Sequence, residues 1–96
     1  MKLTSQNLQD IFDIAKVVVE EDEFCFNYQI DNYNLHICRE LLGRSEEKIW
    51  VIEPNIVDEN GCSEPIGGWS RVVPYGDYAK LLIACVEVAE RKFKED

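Results

Sequence analysis

Cys25, His36 and Cys38 are the residues whose types and spacing come closest to a chemical site. His36 and Cys38 are two positions apart, so on a strand both side chains point to one face. A thiol beside an imidazole is the arrangement of a nucleophile with its base, and the same groups bind zinc. Catalysis would also need an oxyanion site and an orienting third group, and zinc would need a fourth ligand. The sequence supplies none of these, so we expect no catalytic residue, no metal site and no cofactor.

The cysteine spacing also bears on the cellular compartment. Cys25, Cys38, Cys62 and Cys85 lie 13, 24 and 23 positions apart, without the close pairs of zinc modules or thioredoxin-like motifs. The residues after Met1 are too polar for a secretory signal, and no apolar run approaches the roughly 20 residues of a membrane span. We expect a cytoplasmic protein with reduced thiols and no transmembrane segment.

The acidic side chains are the feature of the sequence that indicates most about function. The chain of 96 residues has 19 Asp and Glu against 10 Lys and Arg, which gives a formal net charge of −9. No Lys or Arg lies between Lys16 and Arg39, and none lies between Lys48 and Arg71. From these two windows we predict a partner-binding set: Glu20, Glu21, Asp22, Glu23, Asp31, Glu53, Asp58, Glu59 and Glu64. This charge balance repels phosphate backbones, so direct nucleic-acid binding is disfavoured.

The run from Glu20 to Glu23 opposes the field of the helix that it ends, because exposed carbonyls already make a helix C-terminus negative. We estimate that it costs a few tenths to about 1 kcal/mol relative to a basic ending. Selection for stability alone would not favour such a run, whereas a negative surface attracts a basic partner. The alternative interpretation is a solvated acidic surface that keeps a small protein soluble.

The first half of the chain predicts a helix followed by a hairpin. Thr4 or Ser5 can cap a helix that runs to about Val19, with apolar residues at three- and four-residue steps. The period then becomes two on either side of a two-residue turn at Asp31 and Asn32. That turn predicts six cross-strand pairs, namely Ile30 with Tyr33, Gln29 with Asn34, Tyr28 with Leu35, Asn27 with His36, Phe26 with Ile37 and Cys25 with Cys38. The last pair could form a cross-strand disulfide, but we expect free thiols.

The second half predicts a third strand over residues 48–53 that stops at Pro54, and then a long loop over residues 55–68. A short fourth strand over residues 69–73 and a helix capped by Asp77 complete the chain. The expected fold is a single α+β domain over residues 1–96. Its antiparallel sheet of three to four strands carries the N-terminal and C-terminal helices on one face. The other face would present polar residues, among them Asn27 and His36.

In length, charge, element order and acidic stretches such as Glu20-Glu21-Asp22-Glu23 and Asp58-Glu59, the chain resembles small acidic inhibitors encoded by phages and mobile elements. Anti-CRISPR proteins and other DNA mimics belong to this class. The resemblance implies a protein without catalytic activity that blocks a larger basic partner, such as a nucleic-acid-processing effector. Two alternatives remain: a small adaptor or homodimer that uses the polar sheet face or an edge strand, and an enzyme that uses Cys38 and His36.

Overall fold

The computed structural model describes residues 2–21, 25–43, 47–67 and 70–93. Two helices and five strands follow one another as α1 (Ser5–Glu21), β1 (Cys25–Ile30), β2 (Tyr33–Leu42), β3 (Glu47–Val57), β4 (Ser63–Pro65), β5 (Arg71–Pro74) and α2 (Tyr78–Lys92). All the strand pairs are antiparallel; β1, β2, β3 and β4 are neighbours in that order, and β5 also pairs with β3. The predicted α+β class, with a helix before and a helix after the sheet, is confirmed.

The α1 helix begins with a reciprocal cap. The Asn7 N–H donates to the Thr4 hydroxyl, and the Thr4 N–H donates to the Asn7 side-chain carbonyl, each at 3.0 Å. This is a capping box in which asparagine takes the place of the usual Glu or Gln. The helix ends at Glu21, two residues later than predicted, so Glu20 belongs to its last turn. Ile11, Ala15 and Val18 are its buried face.

The register of the β1–β2 hairpin is confirmed at all six predicted pairs. Asp31 in the turn has φ of +54°, the left-handed conformation that Asp tolerates better than most residues. The strand begins at Cys25, and Phe24, with which the alternation of apolar residues begins in the sequence, lies outside the described residues. Beyond Cys38, β2 continues to Leu42, and all ten of its residues pair with β3.

The prediction that the third strand stops at Pro54 is wrong, because β3 passes through it to Val57. β5 pairs with Ile49–Ile52 and β4 pairs with Asn55–Val57, so Pro54 falls in the gap between these two neighbours. The Ile66 N–H donates to the Pro54 carbonyl at 2.9 Å, so the backbone polar groups of Pro54 point away from β2. The backbone nitrogen of Pro54 therefore faces away from β2, where none of the described strands needs an N–H donor from this residue. The strand can continue through the proline.

The predicted loop over residues 55–68 is also wrong in part. Its first three residues belong to β3, and β4 (Ser63–Pro65) folds back on them as a short hairpin arm. The predicted strand over residues 69–73 corresponds to β5, which begins at Arg71; Trp69 lies outside the described residues. The sheet formed by the described residues therefore has five strands, one more than the upper limit of the three to four that we predicted.

The α2 helix is capped as predicted by Asp77, whose side chain accepts the Lys80 N–H at 3.0 Å. Both helices contact the sheet and each other, and one core lies between the layers. Its largest fully buried side chains are Trp50, Phe93, Ile11, Leu35, Ile52, Leu81, Val88, Pro54 and Cys85. Alternation along β1 and β2 sends Asn27, Asn34 and His36 to the opposite face of the sheet, which we call the open face.

Candidate functional site

Three of the predicted acidic residues share one groove at an end of the sheet. Asp58, Glu59 and Glu64 line a depression of about 430 Å³ together with Asn32, Ile56 and Val57. The β3–β4 hairpin brings Glu64 back beside the others, because Glu64 pairs directly with Ile56. Sequence spacing alone does not reveal this proximity, since it depends on the unpredicted strand β4.

The two turns at this end of the sheet are joined by the backbone. The Val57 N–H donates to the Asn32 carbonyl at 2.7 Å, which holds the β1–β2 turn, with exposed Asp31, against the end of β3. The Asp58 carboxylate accepts the N–H groups of Asn60 and Cys62, each at 2.9 Å. Asp58 therefore closes the hairpin turn, and we call Asp31, Asp58, Glu59 and Glu64 the acidic end.

Within the described parts of the chain, the side chains of the acidic end form no ion pair with Lys or Arg. Ion pairs found there include Arg71 with Glu87 and Lys80 with Asp77. Glu59 and Glu64 are exposed to solvent. Salt in solution therefore screens their charge, and no side chain of the described residues neutralises it.

The other predicted acidic residues lie elsewhere. Glu20 is in the last turn of α1 and lines a separate groove with Phe12, Lys16 and Tyr78. Glu20 therefore belongs neither to the β3–β4 hairpin nor to the groove of the acidic end. Glu53 lies on the open face opposite His36, half-buried. Glu21 ends α1, whereas the predicted positions Asp22 and Glu23 fall outside the described residues.

A second cluster occupies the open face, where a chain of hydrogen bonds links five side chains of the hairpin. The Asn34 amide donates to the Asn27 carbonyl oxygen at 2.9 Å, and the same oxygen lies 2.8 Å from His36 Nδ1. His36 Nε2 lies 2.8 Å from the Cys38 sulfur, which lies 2.7 Å from the Cys25 sulfur. We call Cys25, His36 and Cys38 the thiol cluster.

This geometry supplies the orienting third group that is not evident from the sequence, because Asn27 holds the ring of His36. The signal was present in the hairpin register, which pairs these two residues. The cluster is nevertheless poorly suited to nucleophilic catalysis. Burial, then the adjacent Cys25, then Glu40 and Glu53 raise the pKa of Cys38 to about 12, whereas catalytic thiols have a depressed pKa. The Cys38 N–H belongs to the β2–β3 ladder, so it is not free to bind an oxyanion.

No protein-family model, curated protein or solved structure matches this chain. In the described residues, neither helix is long and apolar enough to cross a membrane. The fold and its surfaces define a two-layer α+β protein with two separate polar features, the acidic end and the thiol cluster.

Proposed function

We propose that the protein is a non-catalytic binding protein whose acidic end docks on a cationic surface of a larger protein. Its partner would be a nucleic-acid-processing effector whose phosphate-binding groove the carboxylates occupy, as in the acidic inhibitors of phages and mobile elements. The proposal gives the carboxylates one role, to attract and orient the basic surface.

The observation that carries the proposal is the convergence of Glu59 and Glu64 on one groove without a compensating cation among the described residues. Ile56 in the same groove is 39% exposed, although it lies in the middle of a strand pair. An apolar floor with carboxylates around it suits the aliphatic stem and charged head of Arg or Lys. Both components of the groove therefore favour a basic protein surface.

The thiol cluster supports the non-catalytic part of the proposal. A thiol with a pKa of about 12 is almost entirely protonated at neutral pH, and only the thiolate is an effective nucleophile. The neighbouring Glu40 and Glu53 oppose thiolate formation further, since each adds negative charge beside the sulfur.

The test compares two single charge reversals, Glu64→Lys at the acidic end and Glu20→Lys at the end of α1. Both glutamates are exposed, and each substitution raises the net charge by the same amount. Affinity for a fluorescent oligoarginine peptide would be measured by anisotropy over a series of salt concentrations. Capture from a bacterial lysate with each variant, followed by mass spectrometry, would identify the natural partner.

We expect wild-type affinity to fall steeply with salt and Glu64→Lys to weaken binding about tenfold, which corresponds to about 1.4 kcal/mol. The control Glu20→Lys should bind nearly as well as the wild type and should retain the captured basic protein. Equal losses from both variants would show that only net charge matters. Affinity that is unchanged by salt would also reject docking through the carboxylates.

The adaptor or homodimer alternative draws support from β1, which is an edge strand of the described sheet and carries the polar open face. It predicts a dimer in sedimentation equilibrium and no effect of Glu64→Lys on assembly. A monomer at all accessible concentrations would exclude the homodimer form.

A further inference from the structure

We propose that Cys25, His36 and Cys38 form a binding site for a thiophilic divalent cation of the zinc class. The site lies on the open face and is independent of docking at the acidic end. The sequence offers no fourth ligand, but the hairpin brings three ligand atoms within 4.8 Å of one another. Zinc sites with three protein ligands and one open position are an established type.

The ligand spacing suits a small tetrahedral cation. Zinc–sulfur bonds of about 2.3 Å place two thiolates about 3.8 Å apart around a tetrahedral centre. The sulfurs of Cys25 and Cys38 are 2.7 Å apart, so the ion needs them to separate by about 1 Å, a movement that side-chain rotation supplies. Cys25 is exposed, so this rotation meets little resistance and the ion has a path from solvent.

The histidine is already oriented as a ligand. The Asn34 amide donates to the Asn27 oxygen, which makes that oxygen an acceptor toward His36 Nδ1. The imidazole proton therefore belongs on Nδ1, and the lone pair of Nε2 points to the thiols. A metal-bound histidine commonly has such a partner on its second nitrogen, which fixes the tautomer and the ring orientation.

The nearby carboxylates favour a cation, and the donor atoms of the site determine which class of metal ion it binds. Alternation along β2 and β3 places the carboxylates of Glu40 and Glu53 on the open face with the cluster. Two sulfurs and an imidazole nitrogen suit zinc-class ions rather than Mg²⁺ or Ca²⁺, which prefer oxygen. Binding breaks two S–H bonds and forms two metal–sulfur bonds, the two protons pass to solvent, and no electron is transferred.

The test titrates Co²⁺ into the fully reduced, metal-free full-length protein, since Co²⁺ is a coloured substitute for Zn²⁺. Thiolate-to-cobalt charge transfer in the near ultraviolet reports sulfur coordination, and Zn²⁺ added afterwards measures competition for the site. Cys25→Ser and Cys38→Ser remove one ligand each. Cys62→Ser is the matched control, because Cys62 is an exposed free thiol outside the cluster.

We expect one Co²⁺ per chain, displaced by Zn²⁺, with the charge-transfer band lost in Cys25→Ser and Cys38→Ser and unchanged in Cys62→Ser. Asn27→Ala should lower the affinity about 10- to 100-fold while keeping the band, because it releases the histidine ring. Circular dichroism checks that each variant is folded. The proposal is overturned if reduced wild type shows no band, or if either cluster cysteine can be removed without losing it.

Discussion

Phe93 provides the most direct test of how the C-terminal helix is held on the sheet. Its side chain is fully buried at the end of α2, and its ring stacks on Tyr33 of β2 with centroids 5.0 Å apart and planes 16° from parallel. Truncation of a buried phenylalanine to alanine costs about 3–5 kcal/mol, to which a stacked aromatic pair contributes about 0.5–1.5 kcal/mol. The free energy of unfolding of a typical domain is roughly 5–15 kcal/mol, so we expect Phe93→Ala to remove a large part of it.

Urea unfolding followed by circular dichroism measures this loss, and thermal unfolding should show a melting temperature lower by roughly 12–40 °C. Phe93→Leu retains most of the apolar contact and should cost about 1–2 kcal/mol, so it remains measurable if Phe93→Ala does not fold.

Phe12→Ala is the matched control. Phe12 also contacts an aromatic ring, since its centroid lies 5.9 Å from that of Tyr78 in an edge-to-face arrangement, but Phe12 is 42% exposed. Its truncation should therefore lower the free energy of unfolding by no more than about 1.5 kcal/mol. Similar losses for Phe93→Ala and Phe12→Ala would refute the inference that burial at the α2–β2 contact dominates.

Two further predictions concern the α2 helix. Asp77→Ala should lower the free energy of unfolding by about 1 kcal/mol, because it leaves the Lys80 N–H without its cap; an unchanged urea midpoint would contradict this. Burial raises the pKa of the Cys85 thiol to about 12, so the unfolded chain loses this proton near pH 9 while the folded protein keeps it. Stability should therefore fall as pH rises from about 9 toward 12. The wild type should lose about 1.4 kcal/mol more than Cys85→Ala between neutral pH and about pH 10, and equal losses in urea unfolding would contradict the assignment.

The β1–β2 hairpin was predictable because its signals are local. A two-residue turn sets the register, and alternation then assigns every side chain to a face. The same register pairs Cys25 with Cys38 and Asn27 with His36, so the parts of the thiol cluster were visible in the sequence. What the sequence did not show is that one asparagine oxygen accepts from two neighbours and thereby orients the histidine.

The second half of the sheet was less predictable because its signals depend on neighbouring strands. Pro54 is typical of a strand end, and it continues β3 here only because β4 and β5 leave a gap beside it. β4 has three exposed residues and no alternating pattern, so it exists through its pairing with β3. Without β4, the proximity of Glu64 to Glu59 could not be inferred.

The sequence by itself determined the helices, the α+β class, the first hairpin and the excess of negative charge, because these depend on periodicity, capping and composition over short stretches. Only the tertiary structure decided which charges meet. It brought Asp58, Glu59 and Glu64 to one groove and left Glu20 in a separate groove with Phe12, Lys16 and Tyr78. The physical reason is that charge carries no periodic signal of its own, so the position of a surface carboxylate follows from the pairing and packing of the apolar residues around it.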